Sequence, residues 1–272
     1  MTFNYTINDI VDKLSNPDCS DEYIEEIHEL MIKNNLSIEE AISNLRHMRI
    51  YFDYDDWIVD LINPWVKYLN EKNNTNYKKE EIKEFFFFSS IQNGMDFLLK
   101  EEDPYQYVKV REGILELFIE LENNGLLNNV SIVTATVPET YLSKKKQYEK
   151  DIYNPLCEIF QHKFNKEFPL TYSDTFITTT KKELLNYNNA VLVDDAKHNV
   201  EKVVKINTYA YAMVVNHEHN QNLTTGDRII RLNKTEDFFK ILFLISLKSY
   251  DRRNDENKPH LKEEMFLKND ND

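Results

Sequence analysis

The chain has 272 residues, 41% of them hydrophobic, and a formal net charge of −14. It can bury a sizeable core, and its acidic balance argues against a nucleic-acid sheath, which leans on Lys and Arg. Its four glycines are too few and too scattered for a dinucleotide fingerprint or a P-loop, and Cys19 and Cys157 give neither a disulfide framework nor a metal-ligand pair.

Residues 1–47 read as a helical extension. Ile7, Ile10, Val11 and Leu14 have helical spacing, and Asn16-Pro17 stops that segment. Ser20 is the expected cap of a second helix carrying Ile24, Ile27, Leu30 and Met31. Ser37 with Glu40 makes a capping box for a third helix, which would bury Ile38, Ala41, Ile42 and Leu45. His28 and His47 read as structural. Met1 to Tyr5 lacks a charged segment followed by a long apolar one, so no signal peptide is read and a cytoplasmic location is expected. The longest apolar patch, Phe238 to Leu247, is interrupted by Lys240 and is too short to span a bilayer.

Ile50-Tyr51-Phe52 is a short β-favouring run of the kind buried on both faces, and Asp53 and Asp55 follow at its end. Two carboxylates there repel each other unless a cation or a shared proton intervenes. From Pro64 to about Asp103 the pattern is helical and aromatic, with Trp65, Tyr68, Tyr77 and the run Phe85 to Phe88. Four consecutive aromatics cannot all face one core. Gly113 to Leu121 predicts an amphipathic helix, ended by Asn123-Asn124-Gly125.

Val130 to Thr134 is the second buried strand, and Thr136 and Pro138 open a Lys-rich helix. Phe176 to Thr179 is the third strand, followed by Lys181-Lys182, where cations oppose the helix dipole. Ala190 to Val193 is the fourth and ends in Asp194-Asp195. A helix over Asn199 to Ile206, strands over Tyr209 to Val215 and Arg228 to Leu232, and a helix from Glu236 to about Leu247 complete the pattern. Alternation of this kind predicts an α/β fold with a parallel sheet. His217-Glu218-His219 reads as a surface loop rather than a metal site, and the chain beyond Asp251 as a disordered tail.

Strand ends thus carry, in order, Asp-x-Asp, Thr, Lys and Asp-Asp. That succession resembles the four signature motifs of the haloacid dehalogenase-like (HAD) phosphatase superfamily, over roughly Met48 to Tyr250. Asp53 through Asp60, with Asn63 to Asn70 and Asn74 to Tyr77, is similar to the opening of the 5'(3')-deoxyribonucleotidase family and its bacterial and phage relatives. Val191 to Val200 resembles that family's acidic motif, and His219-Asn220 with Arg228-Ile229-Ile230 its C-terminal loop and last strand.

The resemblance implies a Rossmann-like core over 48–250 with a small helical cap at about 61–110, an N-terminal extension at 1–47 and a tail at 251–272. It implies a Mg²⁺-dependent phosphomonoesterase acting on nucleoside monophosphates, more often deoxyribonucleotides, through an aspartyl-phosphate. Asp53 would be the nucleophile and Asp55 the acid and base. Thr134 and Lys182 would bind the phosphoryl oxygens. Asp53, the Asp55 main-chain carbonyl and Asp194 would hold the ion, with Asp195 in support. Lys181 competes with Lys182, and counting back from Asp194 favours Lys182. Where the superfamily usually has Gly and then Thr or Val, this chain has Asp56-Trp57, and the indole could narrow or close the pocket. The other readings are a HAD phosphatase for a sugar phosphate or a nucleic-acid end, and a degenerate HAD domain used as a binding module.

Overall fold

A computed structural model describes residues 6–15, 21–83 and 87–254. Helix α1 (Ile7–Leu14) starts at a Thr6–Asp9 capping box, and α3 (Ile38–Arg46) at the expected Ser37–Glu40 box. Between them, α2 (Glu22–Lys33) is capped by Asp21, which accepts from the Tyr23 amide at 3.1 Å. Ser20, the expected cap, lies outside the described residues.

Strand β1 (Arg49–Asp53) opens the main sheet. Strand β2 (Val59–Asp60) leads out into α4 (Ile62–Asn73), α5 (Phe87–Ser90) and α6 (Asp96–Leu99), and β3 (Lys109–Val110) leads back, antiparallel to β2. This two-stranded ribbon brackets the helical insertion. The chain continues through α7 (Ile114–Asn123), β4 (Val130–Thr134) and α8 (Pro138–Tyr148). A π turn over Glu149–Tyr153 joins α8 to α9 (Asn154–Phe164), and helical backbone at Tyr148, Tyr153 and Asn154 keeps the whole continuous. Then come α10 (Tyr172–Thr175), β5 (Phe176–Thr178), β6 (Ala190–Asp194), α11 (Lys197–Ile206), β7 (Tyr211–Val215), β8 (Ile229–Leu232) and α12 (Phe238–Asn254). Of the tail expected beyond Asp251, residues 255–272 lie outside the described residues, and α12 runs on to Asn254.

The six-stranded sheet has the order β5-β4-β1-β6-β7-β8, and every pairing is parallel. This is a Rossmann-like α/β fold. Successive side chains of a strand face opposite sides, so the sheet divides two cores. Ile50, Phe52, Val191, Val193 and Met213 face one, with α7 and α12, and Tyr51, Leu192, Ala212 and Val214 face the other, with Val200 and Val203 of α11. The central strands β6 and β7 are buried at every position, which explains their unbroken apolar sequence.

Helix α12 is buried all round from Phe238 to Leu247, because α2 and α3 cover the side it turns away from the sheet. The one cation in that stretch, Lys240, pairs with Asp21 at 3.0 Å. Among the described residues no helix is long and apolar enough to cross a membrane.

The sheet order reverses beside β1, with the chain crossing to β4 on one side and β6 on the other. In open α/β sheets a crevice forms outside the carboxyl ends of the strands at such a point. Asp53 ends β1, Thr134 ends β4 and Asp194 ends β6, so three of the motif positions meet there.

Candidate active site

Asp53 and Asp194 are held together by one lysine. Lys182 Nζ lies 2.8 Å from Asp53 Oδ1 and 2.6 Å from Asp194 Oδ2, and its side chain is buried, whereas Lys181 is exposed. Asp194 also accepts from the Ala196 amide at 2.8 Å and from Asn199 Nδ2 at 3.1 Å, which ties it to the first turn of α11. Asp195 completes a buried group in which one ligand atom from each of Asp53, Asp194 and Asp195 lies within 4.8 Å of the others. Burial pushes the Asp53 carboxyl well above its usual range and the neighbouring Asp194 charge pushes it further; Lys182 offsets this only in part. Burial would lower the Lys182 ammonium, but Asp194 and Asp53 outweigh it and push it up. Three buried carboxylates face one ammonium here, with the His219 imidazole beside Asp195, and this set of oxygen donors suits a hard cation.

A second cluster surrounds Asp55. Lys144 Nζ lies 2.7 Å from Asp55 Oδ2, the Tyr105 hydroxyl donates to Oδ1 at 2.7 Å, and the Thr134 hydroxyl reaches Oδ2 at 3.3 Å. Lys144 also donates to Thr134 Oγ1 at 2.6 Å. Thr134 is therefore engaged between Lys144 and Asp55 and does not line the cavity described below. Lys144 had no place in the sequence reading. It sits in the run Lys144-Lys145-Lys146, which looks like a solvated helix face, yet it is fully buried. The signal that could have found it is the polar stripe Thr140, Ser143, Lys144 and Gln147, which the helix turns inward at helical spacing.

Asp56 has a left-handed backbone (φ 56°), a conformation Asp tolerates better than most side chains. Its Oδ1 accepts from the Leu61 and Ile62 amides, both at 3.1 Å, and so caps α4 at the entry to the insertion. Burial, and then Asp195, push its carboxyl well above the usual range. Trp57 does not act as the sequence suggested. Its indole is buried against Phe52 and Phe238, stacked on the latter with centroids 6.4 Å apart, and it is not part of the cavity lining. The left-handed turn at Asp56 aims it into the core, so it neither narrows nor closes the pocket.

The His217-Glu218-His219 loop also departs from expectation. It turns both imidazoles inward, stacked 5.3 Å apart. His219 Nε2 lies 2.8 Å from Asp195 Oδ2, and His217 Nε2 lies 2.8 Å from the Asp56 carbonyl, to which Arg111 also donates. Burial would raise the Asp195 carboxyl, but His219 outweighs it and holds it below its usual range. Burial pushes the His217 imidazole down to about 4. Asn220, fully buried, donates to the Asp195 carbonyl at 2.7 Å and fixes the loop to the end of β6.

A cavity of about 390 Å³ opens above these groups. Asp53, Asp55, Lys182, Thr136, Asp195 and Asn199 line its sheet side, and Leu61, Trp65, Ile82, Phe88, Met95 and Leu98 line its cap side. Thr136 Oγ1 is buried there without a hydrogen-bond partner. Of the aromatic run, Phe88 faces the cavity, while Phe85 and Phe86 lie outside the described residues.

Fold and site together define an α/β protein with a carboxylate–lysine centre at the switch point of its sheet, roofed by a helical insertion. No family model matches the sequence, and no curated protein matches it. Solved structures give distant likenesses. A hydrolase from Pseudomonas syringae is 14% identical with a TM-score of 0.35, over 62% of this chain and 84% of its own. A HAD family hydrolase from Deinococcus radiodurans R1, with bound phosphate and sodium, is 12% identical with a TM-score of 0.47, over 73% and 96%. A HAD hydrolase of family IA, variant 3, from Entamoeba histolytica is 14% identical with a TM-score of 0.44, over 74% and 99%.

Proposed function

We propose that this chain is a phosphomonoesterase of the HAD type that works through an aspartyl-phosphate on Asp53. The observation that carries the reading is Lys182 bridging Asp53 at 2.8 Å and Asp194 at 2.6 Å at the switch point of the sheet. Phosphoryl transfer needs mainly positioning and charge neutralisation, and a carboxylate nucleophile splits the hydrolysis into two easier steps.

Asp53 Oδ attacks phosphorus, and the bond from phosphorus to the ester oxygen breaks. The leaving alkoxide takes a proton from the Asp55 carboxyl group. Water then attacks the phosphorus of the aspartyl-phosphate, gives a proton to Asp55, and releases inorganic phosphate with Asp53 as carboxylate. Acid–base help of this kind is typically worth ~10² to 10⁴ in rate. Lys182 binds the phosphoryl oxygens, Lys144 steadies Asp55 beside them, and the Thr134 hydroxyl is held between Lys144 and Asp55. The carboxylates of Asp53 and Asp194 and the Asp55 main-chain carbonyl would hold a Mg²⁺ ion, with Asp195 beside them, and that ion would neutralise charge on the phosphoryl group.

The substrates of this reading are nucleoside monophosphates, deoxyribonucleotides before ribonucleotides. The stretch Asp53 through Tyr77 resembles the deoxyribonucleotidase family, and Trp65 and Phe88 in the cavity wall suit a flat base, worth ~1 to 3 kcal/mol in stacking. Steady-state kinetics on deoxynucleotide, ribonucleotide and sugar monophosphates at matched Mg²⁺ tests it. The deoxynucleotides should show the highest kcat/KM. A sugar phosphate preferred over every nucleotide would overturn the substrate assignment, and no turnover of any ester would overturn the enzyme.

A further inference from the structure

We infer that the cap side of this cavity selects the alcohol half of the ester by its apolar area and leaves its hydrogen-bonding edge unread, so that the site takes flat aromatic phosphomonoesters as a class. This rests on the phosphatase reading for the position of the phosphate. The sheet side holds every ionised side chain lining the cavity, and it is where the phosphoryl group sits. The cap side, Leu61, Trp65, Ile82, Phe88, Met95 and Leu98, is where the rest of the ester must lie.

The side-chain donors of Trp65, Tyr105 and Thr140 beside the cavity are already committed to the protein. Trp65 Nε1 donates to the Gly94 carbonyl at 2.6 Å, away from the cavity, and the ring stacks on Phe88 at 3.9 Å with planes 12° apart. The Tyr105 hydroxyl is spent on Asp55 at 2.7 Å, and the Thr140 hydroxyl on the Val137 carbonyl at 3.2 Å. Ser89, which also lines the cavity, is exposed. Among the described residues the cap side therefore offers rings and methylenes to a ligand. A base can satisfy it with its face, because every base has a π-face. A bare sugar would bury hydroxyls with no partner, which is unfavourable.

A binding experiment with inert phosphonates separates this from catalysis. In calorimetric titrations of the full chain with Mg²⁺, naphthylmethylphosphonate should bind at least about tenfold tighter than methylphosphonate, as expected for added buried apolar area. Leu98→Asn should shrink that ratio toward one. Equal affinities, no binding of either compound, or a ratio untouched by Leu98→Asn would overturn the inference. Tight naphthyl binding with no turnover of naphthyl phosphate would overturn the phosphatase reading and leave the apolar selection standing. Turnover without any affinity difference would do the reverse.

Discussion

Two lysines divide the work at the residue scale. Lys182 ties the nucleophile candidate to the acidic motif, and Lys144 ties Asp55 to Thr134. Each is nearly sealed from solvent, so neither can lose its partners cheaply. Removing one member of a buried pair leaves an uncompensated charge and costs about 3 kcal/mol or more. Lys144→Met should therefore lower the unfolding free energy by about that amount. Adding Asp55→Asn should recover part of the loss, because the second change removes the stranded carboxylate. Urea unfolding of the two single variants and the double variant measures this, and strict additivity would count against the pairing.

His217 sets a different kind of test. With its imidazole pushed down to about 4, the unfolded chain binds a proton that the folded chain does not, from there up to the ordinary His value of about 6.5. Stability from this group is therefore lost as pH falls through that window, by about 1 to 3 kcal/mol. His217→Gln should flatten the dependence. Urea midpoints at pH 4.5 and 7 that shift equally in both proteins would show that His217 is not the cause.

At the scale of the element, three strands end in candidate site residues where the strand order reverses beside β1. Those ends were legible in the sequence, since a parallel strand is an unbroken apolar run and the polar residue after it stands out. Ser37 and Glu40 were legible too, because a capping box is a local pattern. Helix α9 was not, because Pro155 breaks the usual helical pattern; the π turn over Glu149–Tyr153 carries the helix to it without interruption. Lys144 and the inward His pair were hidden for a related reason: burial depends on which way an element rolls against its neighbours, and local polarity does not report that. Trp57 was misjudged because its direction is set by the left-handed Asp56.

The cap has its own weak point at Gly94, where a Cβ would stand 1.6 Å from the Phe88 carbonyl oxygen. The same residue's carbonyl anchors Trp65. Gly94→Ala should push Phe88 off Trp65, cost about 1 to 3 kcal/mol, and raise KM more than it lowers kcat. A variant with unchanged KM for an aryl phosphate would mean that the Trp65–Phe88 wall does not touch substrate.

On the scale of the whole molecule, every candidate site residue lies beyond residue 47, as the sequence indicated, but the first three helices are not idle. Ile24, Ile27, Met31, Ala41 and Leu45 are buried in the same core as α12 and β1. Fully burying a large apolar side chain is worth about 1.5 to 3 kcal/mol, so removing this layer takes away an amount comparable with the whole stability of a domain, about 5 to 15 kcal/mol. A chain starting at Met48 should show no cooperative unfolding transition, and one that melts like the full chain would refute the covering role. The net charge of −14 belongs to this scale as well. A charge of this sign repels polyanions at long range. Asp53 as the carrier of the phosphoryl group is tested by acid-quenched mass spectrometry during turnover of an aryl phosphate with Mg²⁺. A phosphoryl group should appear on the peptide bearing Asp53, with neither that adduct nor phosphate release in a folded Asp53→Asn variant; near-normal phosphate release by that variant would overturn the role of Asp53.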